Sequence, residues 1–114
     1  MNELEGIWQP LYAELGGEEA PKMLLDKMEV ELANGTYTVR FGGVAADTGS
    51  YTIDAAGLTL AGMAGTNAGR TIPCIYKFVG DTLSICYGLS GNRPRNFFTG
   101  GDSLLYLVNY TRKQ

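Results

Sequence analysis

What most constrains this chain is its punctuation. Its 16 glycines fall between short runs of alternating apolar and polar residues and form no low-complexity tract. The strongest mark is Asn34-Gly35, set between "MEVELA" and "TYTVRF". A two-residue hairpin turn whose twist matches its strands needs positive φ at both central positions, and Asn-Gly adopts that conformation with little strain. The spacing therefore predicts a hairpin over Met28–Phe41. Successive strand residues point to opposite faces, so Tyr37, Val39 and Phe41 share one face and Thr36, Thr38 and Arg40 the other.

The segment "RTIPCIYKFVGDTLSICYG", Arg70 to Gly88, predicts a second hairpin that turns near Val79–Asp81. With Gly80-Asp81 as the turn, Val79 faces Thr82, Cys74 faces Tyr87 and Ile75 faces Cys86. Cys74, Tyr76, Phe78, Leu83, Ile85 and Tyr87 then share the inner face, and Cys86 points away from it. A three-residue turn would set the two thiols opposite each other, but it would also place Lys77 among Leu83, Ile85 and Tyr87, and is rejected. Two free cysteines are expected, packed as small apolar groups.

Further runs continue the pattern. Gly6–Leu15 reads as a first strand, with Pro10 marking an edge or a bend. Gly16–Met28 holds the one helical candidate, a turn or two over Ala20–Leu25 with Pro21 in the first turn. Ala46–Asp54 (Tyr51 and Ile53 on one face), Gly57–Gly62, Pro94–Gly100 and Ser103–Lys113 read as strands, and Met63–Gly69 as a loop. Eight or nine short strands with tight turns and one small helix predict an all-β domain over residues 1–114. A closed antiparallel barrel is preferred to a sandwich because closure removes exposed edges. An edge near Pro10 or at the Pro94 strand could pair two copies into a homodimer.

Composition removes several function classes. The chain has no histidine and 2 cysteines, too few groups for a standard zinc site or a histidine-assisted nucleophile. No metal and no cofactor is called for. Net charge is −3 with 9 Lys and Arg spread thinly, which argues against a nucleic-acid or anionic-membrane footprint. The opening "MNELEGIW" carries neither a basic nor an apolar leader region, so a cytoplasmic location is expected. "AGTNAGRT" (Ala64–Thr71) misses the phosphate-loop pattern at Ala64 and Arg70, and no helix follows it.

The order "LEGIW", "GTYTV", "DTGSYTID", "IYKFVGDTLSICYG", "RPRNFF" resembles a family of small bacterial lipocalin-like domains, numerous in planctomycetes, along nearly the whole chain. Its most specific part runs from Ile75 to Phe98. Gly6-x-Trp8 is also similar to the first-strand signature of lipocalins, in which a tryptophan closes the barrel base beneath a basic residue of the last strand. Arg112 is the position that could play that part here. The resemblance implies a calycin-type barrel and no particular activity.

The tyrosines carry the functional expectation, 7 in 114 residues. An eight-stranded barrel is just wide enough to be filled by its own side chains or to hold one small ligand. Both readings stand. The interior is packed by tyrosines, or it is an apolar pocket with converging hydroxyls. The second suits a small hydrophobic or amphipathic molecule, with Trp8 at the closed end, Tyr37, Tyr51, Tyr76 and Tyr87 as lining, Met23, Leu24 or Met63 near the mouth, and Arg95 as an orienting cation. Arg93 is read as structural. Glu14, on the face of Trp8 and Tyr12, is weighed for an inward position and read instead as a strand end at the solvated rim. A barrel of this shape could also template a cyclisation or isomerisation through tyrosine hydrogen bonds. A filled barrel would instead act as a protein-interaction or inhibitor domain.

Overall fold

The computed structural model describes residues 2–113. The first strand, β1 (Gly6–Leu15), is followed by a two-residue strand, β2 (Glu18–Glu19), and a single helical turn, α1 (Lys22–Leu25). Then come β3 (Met28–Ala33), β4 (Thr36–Phe41), β5 (Val44–Asp54), β6 (Gly57–Gly65), β7 (Thr71–Val79), β8 (Thr82–Gly88) and β9 (Leu105–Arg112). Neighbours in sequence pair antiparallel from β3 to β9, β1 pairs with β3, and β1–β9 pairing closes the ring. The result is an eight-stranded antiparallel barrel with β2 as an extra strand on β1. No helix among the described residues is long and apolar enough to cross a membrane.

Both hairpins form as the residues predict. Asn34 and Gly35 have φ of 53° and 77°, the pair of left-handed conformations the turn requires. Val79 faces Thr82, Cys74 faces Tyr87 and Ile75 faces Cys86. Both thiols are free and buried.

Three local readings need correction. Pro94–Gly100 forms no strand. It crosses the outside of the barrel as a strap, with Pro94 and Thr99 buried. The Thr99 hydroxyl donates to the Glu14 carboxylate and accepts from Gly17 N–H, and the Lys77 ammonium lies 4.5 Å from the centre of the Phe97 ring. Side-chain anchors of this kind replace ladder bonds, so the period-2 appearance carries no sheet. Second, Met63–Gly65 is strand rather than loop, because β6 stays paired with β5 as far as Asp47↔Gly65. Third, Tyr12 and Glu14 do not share the face of Trp8. A bulge between Pro10 and Tyr12 inserts one residue into β1, where Pro10 has no N–H for the ladder. Beyond the bulge Ala13 is the inward residue, fully buried, while Tyr12 and Glu14 bond to each other outside.

The barrel has two different ends. At one, Trp8 is 2 % exposed, its indole N–H donates to Leu4 O at 2.9 Å, and its ring tilts against Phe78. The Arg112 guanidinium sits 4.2 Å from the indole centre and donates to the carbonyls of Glu5 and Glu3. The opposite end carries the longer connections. There β3 leaves β1 after Trp8↔Val30, and α1 packs into the gap, with Leu25 buried and Leu25 O accepting from Gln9 Nε2 at 2.8 Å. The helix thus completes the wall, and Met23 and Leu24 stay exposed.

Arg112 joins the last strand to the first segment by stacking and by two charge-assisted bonds. Arg112→Ala is expected to lower stability by about 1–2 kcal/mol, and Arg112→Lys to recover only part of it, because an ammonium cannot stack and fork together. Urea unfolding with unchanged slope and a lower midpoint would show this; equal midpoints for all three proteins would contradict it.

Candidate functional site

The upper part of the barrel, away from Trp8, is hollow. A cavity of about 380 Å³ is bounded by all the barrel strands except β1 and by the Thr66–Asn67 turn. Its wall is mostly aliphatic, including Val30, Leu32, Leu58, Leu60, Ile72 and Ile85. It meets the surface where Phe41, 42 % exposed, Ala46 and Thr66 form the rim. The expected inner face of β4, namely Tyr37, Val39 and Phe41, all contributes to the lining.

Of the six residues singled out from the sequence, Tyr37 and Tyr87 line this space. Trp8 belongs to the packed end. Tyr51 is buried there too, and its hydroxyl accepts from Asn2 Nδ2 at 3.2 Å; with Tyr76 it borders a separate hollow beside Asn2 and Glu3. Tyr76 packs edge-on against Phe78. Arg95 is exposed on the outer strap and is not part of the cavity lining. Met23, Leu24 and Met63 are exposed and do not line it either. Arg93 holds the wall together, donating to Leu58 O at 2.9 Å, Cys74 O at 2.7 Å and Thr59 Oγ1 at 2.9 Å, where β6 meets β7.

Two polar points interrupt the apolar lining. The first is Asp47, 7 % exposed, on the inward face of β5. Its Oδ1 accepts from the Tyr37 hydroxyl at 3.2 Å and from Asn67 N–H at 3.3 Å, and its Oδ2 accepts from Asn67 Nδ2 at 2.7 Å. Tyr37 reaches it because Gly49, opposite Tyr37 on β5, has no side chain. A Cβ there would sit 2.6 Å from Tyr37 Cε2 and would also collide with Ala61 O. The second point is a tyrosine pair. The Tyr87 and Tyr110 hydroxyls lie 2.5 Å apart, and the ring of Tyr106 tilts against that of Tyr87 at 5.5 Å. One hydroxyl donates to the other. Neither has a further protein partner among the described residues, so one O–H proton has no protein acceptor.

Asp47, Tyr106 and Tyr110 were missed in the sequence. Each could have been found by extending the alternation. Asp47 has the parity of Tyr51 on β5, and Tyr106, Val108 and Tyr110 share a face of β9. The inward carboxylate is Asp47.

The thiols and the buried phenols beside Asp47 are held in their neutral forms. Burial pushes the Cys74 thiol up to about 12, and Cys86 is raised by burial and then by the Glu14 charge. Burial, then the Asp47 charge and hydrogen bond, push Tyr37 up to about 12. Burial also holds Tyr87 and Tyr110 well above the ordinary tyrosine value. Comparison of the chain with models of known protein families, with curated proteins and with solved structures finds no match in any of the three.

A tyrosine raised in the folded state stays neutral there after its unfolded counterpart ionises. The stability it contributes is complete below the unfolded value of 10.0 and is lost as pH rises through about 12. An alkaline titration should therefore show Tyr37, Tyr87 and Tyr110 ionising late and together with loss of circular dichroism. Gradual ionisation of all 7 tyrosines around the ordinary value in folded protein would contradict this.

Proposed function

We propose that this chain binds a small amphipathic molecule inside the loop-bearing half of its barrel. The observation that carries the reading is the cavity of about 380 Å³, apolar in its walls and polar only at Asp47–Asn67 and at Tyr87–Tyr110. Small-molecule sites have this make-up and occupy volumes upward of about 300 Å³. Affinity would come from burying apolar surface, at roughly 25 cal/mol per Å², and orientation from the two polar points. The lipocalin-like resemblance of the sequence agrees with a carrier role. The Gly6-x-Trp8 strand with Arg112 over the indole is the base that the resemblance implies, and we read the chain as a barrel of that kind. A domain working only through its surface would have no use for an interior left open at this size, since core voids cost stability.

The test is to fill the space. Val39 lines the cavity and is half-exposed, so a larger side chain there can occupy the void with little cost to the fold. Titration with the neutral, polarity-sensitive dye N-phenylnaphthylamine should give saturable enhancement with the native protein. Val39→Trp should weaken it by at least about tenfold while thermal unfolding stays close to native. Absence of saturable binding to the native protein, or equal binding to the variant, would overturn the proposal. Native mass spectrometry of protein from its own host would name the ligand.

A further inference from the structure

Asp47 is the one charged residue among those lining the cavity. All its protein partners donate to it, the complement of an ionised carboxylate. It makes no ion pair: the pairs among the described residues are Lys22–Asp26, Arg40 with Glu29 and Glu31, and Lys113–Glu29. The cation on the adjoining turn, Arg70, reaches it only at second hand. Its guanidinium donates to Asn67 Oδ1 and to Leu89 O, and it is Asn67 that donates to Asp47. A carboxylate offers about four acceptor positions, and three are used here. Oδ2, with a single bond, retains capacity for another donor.

A charge removed from water without a counter-ion is costly, and the usual remedy is pairing. Here the open side of the carboxylate is a cavity, so the missing partner can arrive with the ligand. The remaining lining favours the same sign. It holds no lysine or arginine to receive an anion, and it offers the aromatic rings of Tyr37, Phe41 and Tyr106, whose faces attract cations. We infer that the ligand is an amphiphilic amine, its protonated nitrogen held at Asp47 near the rim and its apolar body directed towards Ile72 and Ile85. An acceptor atom at the far end of such a molecule would take the spare hydroxyl proton of the Tyr87–Tyr110 pair. The inference rests on the cavity being a ligand site. It excludes a fatty-acid carrier, because a carboxylate head would meet Asp47 with no base to receive it.

The experiment compares three probes of equal chain length, octylammonium, 1-octanol and octanoate, by calorimetric titration of the native protein at neutral pH. Octylammonium should bind at least about tenfold more tightly than octanol, with octanoate weakest. Asp47→Asn keeps the shape and removes the charge. It should bring octylammonium to the level of octanol and leave octanol within about twofold. Octanol or octanoate binding as tightly as octylammonium to the native protein would overturn the amine inference and leave the cavity reading standing. So would a preference for the amine that survives in a folded Asp47→Asn protein. Saturable binding of octylammonium that persists in Val39→Trp would place it outside the cavity and overturn the inference too. If none of the three binds, the ligand-binding reading itself fails. Should Asp47→Asn not fold, the order of the three probes on the native protein still decides.

Discussion

The pairing of β1 with β9 is the constraint on which the rest of the molecule depends. Seven residue pairs, from Trp8↔Arg112 to Leu15↔Tyr106, turn an open meander into a ring. An open sheet of this length would expose the edges of β1 and β9 to any passing strand, whereas the ring has no such edges. Closure also defines an inside. Tyr110 and Val108 become buried only because β1 completes the wall beside them. The Trp8–Arg112 contact lies at the end of this seam. It ties the last ladder position to the backbone just before β1, so fraying of either terminus must first break a stacked and twice hydrogen-bonded guanidinium.

A closed ring of eight strands would ordinarily fill itself, and at one end this one does. Trp8, Phe78, Leu83 and Tyr51 occupy the space above the Asn34-Gly35 and Gly80-Asp81 turns. Towards the other end the side chains line the wall without meeting in the middle. Gly49 shows the cause most directly. The Tyr37 ring lies across it, against the wall, and leaves the centre of the barrel open. Arg93 keeps that wall closed from outside by collecting two carbonyls and a hydroxyl at the β6–β7 seam. The hollow is thus walled by aliphatic side chains and by rings such as that of Tyr37, which lies back against Gly49.

The hairpins, the register of β7 on β8 and the opposite facing of Cys74 and Cys86 were all legible in the sequence, because local turn chemistry and parity determine them. Parity stops being sufficient at a bulge. One residue inserted after Pro10 reverses the facing of Tyr12, Ala13 and Glu14, and no composition rule announces it. The strap is illegible for a different reason. Pro94–Gly100 is held by Thr99 on Glu14 and Gly17, groups more than 80 residues away in sequence, and alternation cannot distinguish such anchors from a ladder. The site was half legible. Tyr37 and Tyr87 follow from alternation, and so does the parity of Asp47, but how far along β5 the burial extends, from Asp47 to Tyr51, is decided by tertiary closure.

Asp47 and Tyr37 also explain each other. The carboxylate raises the cost of ionising Tyr37, and the neutral phenol in turn donates to the carboxylate. Asn67 adds two more donors from a turn already bonded to Ala46 and Gly62, and Arg70 ties that turn to Leu89 O. The chain Tyr37–Asp47–Asn67–Arg70 therefore does two things at once: it neutralises part of a buried charge and it holds the rim in one shape. Hydrogen bonds soften the cost of the charge without cancelling it, since dipoles do not supply a counter-charge. A fold that needed only a rigid rim could have used an asparagine at this position, with the same donors partly satisfied and no charge to bury. Asp47 instead leaves at the rim a carboxylate that no cation among the described residues pairs with.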